Sequence, residues 1–145
     1  KLSKQHGKAS EYALCASQWH KSLSYKDKFF GGGMKYAGDF NKMFGYEPPY
    51  QAAESSAALL VFKDAFERAN SFDTKKVRDA LAATDMQTFY GNIKFAAGGQ
   101  NVSKPMVLFQ VSCNDDGSKC ENKVVAPTKW ASAELVHPIP SWSER

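Results

Sequence analysis

The residues whose type and spacing most directly suggest chemistry are the cysteines. Cys113 and Cys120 flank the run Asn114-Asp115-Asp116-Gly117-Ser118-Lys119, and Cys15 stands alone. Asp116-Gly117 is a strong turn dipeptide, so the two cysteines fall across from each other at the end of a predicted hairpin. Facing Cβ atoms in that arrangement suit a disulfide, and a disulfide is the expectation; two reduced thiols are the alternative. A disulfide favours an oxidising compartment. Cys15, inside a predicted strand, reads as a small buried hydrophobe.

Other chemistries fall away on spacing. The hairpin turn lacks the alternating oxygen ligands and the distal Glu of a calcium loop. His6, Cys15, His20 and the cysteine pair show no metal-type interval on one element, so no metal site is expected. His6, His20 and His137 lie in polar or irregular stretches, with neither a nucleophile elbow nor a His-Glu-x-x-His pair. No catalytic residue is expected, and the chain does not read as an enzyme. Gly31-Gly32-Gly33 is not followed by Lys-Ser/Thr, so it makes no phosphate loop, and no cofactor is expected.

Binding remains. Tyr50 follows Pro48-Pro49 at the predicted start of a long helix, and Gln18-Trp19 closes a predicted strand. A helix N-terminus offers free amides and a positive dipole, and an aromatic ring beside it adds apolar contact, a combination suited to a small anionic ligand. Packing at element ends is the competing reading for Tyr50 and Trp19.

The elements that must position these residues follow from periodicity. Residues 1–8 read as the last turn of a helix ending at Gly7, and residues 11–19 as a strand with Tyr12, Leu14, Ala16 and Gln18 on one side. Residues 21–33 form a connection, and residues 34–44 a helix with Tyr36, Ala37, Phe40, Met43 and Phe44 at helical spacing. Residues 50–70 carry the strongest helical pattern, with Ala53, Ala57, Leu60, Val61 and Ala65 in one stripe and an Asp64–Arg68 pair on the outside. Asp73 or Thr74 caps a shorter helix whose Val77, Ala80, Leu81 and Thr84 share a face. Residues 88–95 are extended, residues 106–111 pair with 123–126, and the proline-containing tail is irregular. The 145 residues, 43% hydrophobic and 23% charged, suit a globular domain. A net charge of +4 is too mild and too dispersed to suggest a nucleic-acid partner. No apolar run approaches the roughly 18 residues of a membrane span. The element inventory suits an independent fold poorly, because the long helix has little sheet to cover. The opening Lys1-Leu2-Ser3-Lys4 shows neither an initiator Met nor a signal pattern, which is read as loss of an upstream region.

Several motifs in order resemble a known family. Glu47-Pro48-Pro49-Tyr50-Gln51-Ala52-Ala53 opens an alanine-rich helix. Asp73 then leads through Val77-Arg78-Asp79-Ala80-Leu81 to Thr88-x-x-Gly91-x-Ile93-x-Phe95 with a glycine pair beyond it. Last come Lys104-Pro105 and a hairpin ending Val124-Val125-Ala126-Pro127. Together they resemble the C-terminal portion of type I periplasmic solute-binding proteins, specifically the branched-chain amino-acid (Leu/Ile/Val) binding proteins of ABC transporters. The resemblance implies an α/β fold of two lobes, here a helix-rich lobe segment plus crossover strands and a terminal hairpin. Residues 1–20 would be the end of a second-lobe helix and a crossover strand. Residues 21–104 would be the C-terminal segment of the first lobe, and residues 105–145 a crossover strand, hairpin and tail on the second. The implied function is the substrate-binding component of an ABC importer, closing by hinge motion on an amino acid, amide or aromatic carboxylate between the lobes. A ligand-sensing domain of the same fold in a receptor or regulator is the alternative. Tyr50 matches a position where the family places a ligand-contacting tyrosine; Gln18 and Trp19 lie near the cleft by the same mapping. The implied partners are a small-molecule ligand, the missing N-terminal part of the same protein and a membrane permease. The implied location is the periplasm, or an anchored extracellular position in a Gram-positive source.

Overall fold

A computed structural model describes residues 2–104 and 106–144. Expectations touching Lys1, Pro105 and Arg145 lie outside the described residues. The chain forms two compact units, residues 1–18 with 106–145, and residues 19–105.

In the first unit, α1 (Leu2–His6) runs into a 3-10 turn (Gly7–Ser10), followed by β1 (Leu14–Ser17). β1 belongs to a three-stranded antiparallel sheet of order β1-β6-β7, with β6 at Val107–Cys113 and β7 at Cys120–Ala126. The register pairs Ser17 with Val107 and Leu14 with Gln110 on one side, and Cys113 with Cys120 on the other. Val107, Val111 and Val124 form its buried apolar centre. Gln110 is buried with them because every polar group of its amide is used. Its Nε2 donates to the carbonyls of Tyr12 (3.1 Å) and Val136 (3.2 Å), while Oε1 accepts from the Val136 amide at 3.0 Å. That clamp holds the tail against the sheet. Cys113 and Cys120 form the expected disulfide. Beside it, the Cys113 amide donates to Glu11 Oε1 (3.3 Å), and Lys8 Nζ lies 2.7 Å from Glu11 Oε2.

Two strand expectations need correction. The regular strand covers only Leu14–Ser17, because Tyr12 takes a positive φ of 63°. Leu14, Cys15 and Ala16 are exposed, and Ser17 and Trp19 are the buried residues instead. β1 is an edge strand of this sheet, and Cys15 on it is an exposed free thiol, not a core residue.

The second unit contains α2 (Gly33–Phe44), α3 (Tyr50–Ala69) and α4 (Thr74–Ala82) with two small ladders. β2 (Lys26–Asp27) pairs with β3 (Gly31–Gly32), so the expected plain connection at 21–33 contains a short hairpin. Gly33 is required there, since a Cβ would sit 2.6 Å from the Lys21 carbonyl oxygen. β4 (Asp85–Thr88) pairs with β5 (Gly91–Lys94), which resolves the expected extended stretch into a hairpin with Phe89 and Tyr90 at its turn. The alanine stripe of α3 is buried as expected. Arg68 does more than pair with Asp64 at 2.7 Å: it also donates to the Ala80 carbonyl at 2.8 Å and to Thr84 Oγ1 at 3.2 Å, fastening the end of α4 to α3. Asp73 caps α4 by accepting from the Lys76 amide at 3.0 Å. On α2, Tyr36 and Ala37 are buried while Met43 and Phe44 are exposed. The core centre is aromatic: Tyr36 stacks on Phe89 at 4.3 Å, and Trp19 and Phe30 meet both rings edge-on. Among the described residues, no helix is long and apolar enough to cross a membrane.

Candidate ligand-binding site

Pro49, with φ −67° and ψ 158°, precedes α3 without a side-chain cap. The amides of Ala52 and Ala53 both donate to the Pro49 carbonyl, so the amides of Tyr50 and Gln51 come before the first intrahelical bond. The first turn carries no acidic residue to neutralise its positive end. Tyr50 sits there half-buried. Glu54, one turn on, shares its side of the helix.

Facing these two is the β4–β5 turn. Tyr90 is 4% exposed, and burial, followed by the charge of Glu54 and the neighbouring Tyr50, pushes its phenol pKa strongly upward. It is therefore a neutral hydroxyl at physiological pH. Lys104 lies over the Tyr90 ring, with Nζ 4.1 Å from the centroid, a cation–π distance. That Nζ is buried and has no hydrogen-bond partner among the described residues. Burial lowers the Lys104 pKa from 10.5 to about 8, and the field of Glu54 opposes the shift. The result is one cluster in which a helix end, a carboxylate, a neutral phenol and a weakly held cation lie close together. It can offer donors, one negative charge and aromatic surface to a small polar ligand, and it contains no nucleophile–base pair.

Beside the cluster runs a groove of about 680 Å³ between α3, α4 and the β5 region. Ala57, Val61, Phe62, Leu81 and Ile93 make it apolar, and Glu54 and Tyr90 reach its edge.

Of the residues singled out from sequence, Tyr50 lies in this cluster. Trp19 lies in the same unit but in its aromatic core, 4% exposed, with Nε1 donating to the Phe89 carbonyl at 3.4 Å. Gln18 is half-buried at the last position before that unit. Cys113 and Cys120 belong to the other unit. Glu54, Tyr90 and Lys104 were not foreseen. Glu54 is visible in hindsight at i+4 from Tyr50, but Lys104 is far along the chain and carries no local signal.

Comparison with known proteins gives a consistent answer. A family model described as periplasmic binding protein matches residues 1–119. A leucine-binding protein from Thermotoga maritima is 25% identical, with a TM-score of 0.65 over 88% of this chain and 35% of that one. A periplasmic binding protein from Burkholderia mallei superposes with a TM-score of 0.70 at 18% identity, over 92% of this chain and 37% of that one. A leucine-, isoleucine-, valine-, threonine- and alanine-binding protein from Brucella ovis gives 0.67 at 16% identity, over 91% and 35%. This chain thus spans little more than a third of the length of these proteins, each of which is named as a binding protein.

Proposed function

The chain belongs to the periplasmic binding proteins, and from that premise we propose that it is the C-terminal segment of a solute-binding component of an ABC importer. The ligand is a small amino acid, with branched-chain amino acids the first candidates because two of the similar structures are named for binding them. Residues 21–104 belong to one lobe and residues 1–20 and 105–145 to the other, and the full-length protein holds its ligand by hinge closure. The N-terminal part of the same protein completes both lobes. The apolar groove along α3 supports that reading, since it offers surface a sheet would cover. The disulfide supports a periplasmic or extracellular location.

The observation that carries the ligand reading is Tyr50, half-buried at an uncapped helix end beside Glu54 and Tyr90. Tyr50 makes the direct contact. Trp19 supports the site from the core, and Gln18 contributes from the segment just before it. Titration of the full-length protein with leucine, isoleucine and valine by calorimetry tests this. Tyr50→Ala is expected to weaken binding by about 1–3 kcal/mol. An unchanged affinity would return Tyr50 to a packing role.

A further inference from the structure

The chain enters its second unit at Trp19 and leaves it just after Lys104. Both residues are fastened to the same turn. Trp19 Nε1 donates to the Phe89 carbonyl at 3.4 Å, and its ring meets the Phe89 ring edge-on at 6.1 Å. Lys104 lays its stem across Gly91, so closely that a Cβ there would come within 2.7–2.9 Å of its Cγ, Cδ and Cε atoms. Its Nζ ends above the Tyr90 ring. The entering and leaving residues thus hold three consecutive residues, Phe89, Tyr90 and Gly91.

That turn is itself rigid. Thr88 Oγ1 accepts from the amides of Tyr90 (3.2 Å) and Gly91 (3.3 Å) and donates to the Gly91 carbonyl (2.9 Å). Asp27 Oδ2 accepts the Phe89 amide at 2.7 Å, while its Oδ1 accepts those of Phe29 and Phe30. The segment leading to Lys104 is pinned as well, because Asn101 Oδ1 accepts from the amides of Lys94 and Ser103. A fixed base with two attached strands is what a hinge needs, since strain at one strand is then felt by the other.

We propose that the 88–91 turn is the common anchor of both chain crossings, and that Trp19 and Lys104 are positioning residues that set the hinge for ligand closure. The Lys104 stem does the holding, by packing across Gly91 and Tyr90. This rests on the reading of the chain as part of a closing binding protein, and it goes beyond that reading in naming the residues that govern closure.

Hydrogen exchange on the ligand-free, full-length protein carrying this chain tests the anchor. Lys104→Ala is expected to speed exchange about threefold to tenfold in residues 101–112 and also in residues 14–24, while residues 53–65 of α3 stay protected. Lys104→Met, which keeps the stem, is expected to leave both segments slow. Trp19→Phe removes the indole donor and is expected to give the reciprocal effect on residues 101–112. Acceleration confined to the mutated residue's own segment would overturn the common anchor. Should Lys104→Ala also loosen α3, the Trp19→Phe result decides by the same criterion. For the role in closure, leucine affinity is expected to fall in Lys104→Ala and in Trp19→Phe alike, in step with the loosening each causes; an affinity indifferent to the loosened anchor would overturn that role. A wild-type protein that binds none of the branched-chain amino acids would strike the proposed function alone, because the exchange pattern is read without ligand.

Discussion

Lys104 shows how one side chain can serve position and still cost stability. Its stem packs on Gly91 and Tyr90, but its charge is taken out of water with no hydrogen-bond acceptor among the described residues, and Glu54 and the Tyr90 ring only partly compensate. Burial keeps the neighbouring Tyr90 phenol neutral over the relevant range. The folded chain gives up the Lys104 proton from about pH 8, whereas the unfolded chain keeps it to about 10.5. The unfolded state binds more protons across that window, so this residue makes stability rise with pH from about 8 to 10.5. Lys104→Met keeps the stem and removes the charge. It is expected to be more stable than wild type at pH 7, with the gap shrinking toward pH 10. Denaturant titrations at the two pH values check this, and an equal gap at both would contradict it.

At the scale of elements, short-range devices hold the pieces. The disulfide closes the β6–β7 hairpin around a loop of six residues, and the same hairpin end contacts the 3-10 turn through Glu11 and Lys8. By the loop-entropy relation, replacing both cysteines with serine is expected to lower stability by about 2–3 kcal/mol. The loss should be read as a lower melting temperature under oxidising conditions and should vanish when wild type is compared under reduction. The groove along α3 is an element-scale feature of another kind. α3 buries one face on its own unit and leaves Ala58, Phe62 and Phe66 turned away from that core, with Phe62 47% and Phe66 37% exposed.

For the whole molecule, that unsatisfied face matters most. A helix with apolar residues on two sides is one that packs between layers. The 145-residue chain alone is therefore expected to bind a hydrophobic dye and to melt without a sharp cooperative transition. Co-expression with the N-terminal part proposed above is expected to suppress dye binding and sharpen the melt. A cooperative, dye-silent melt of the chain alone would show that it needs no such cover.

The helices follow from the sequence directly, because their signals are local. The Ala53–Ala57–Leu60–Val61–Ala65 stripe, the Asp73 cap and the Asp64–Arg68 pair each lie within a turn or two of backbone, and all are present. The cysteine pairing was legible for the same reason, since a turn dipeptide fixes which residues face each other. Tyr50 was legible as the start of α3 beside a proline pair, although not as the neighbour of Tyr90. Three outcomes came from the folded chain alone: β1 is an edge strand with Cys15 exposed, Trp19 sits in an aromatic core, and Lys104 lies across Gly91. Those outcomes depend on contacts between residues far apart in sequence, where periodicity carries no information and the burial of apolar surface chooses the arrangement.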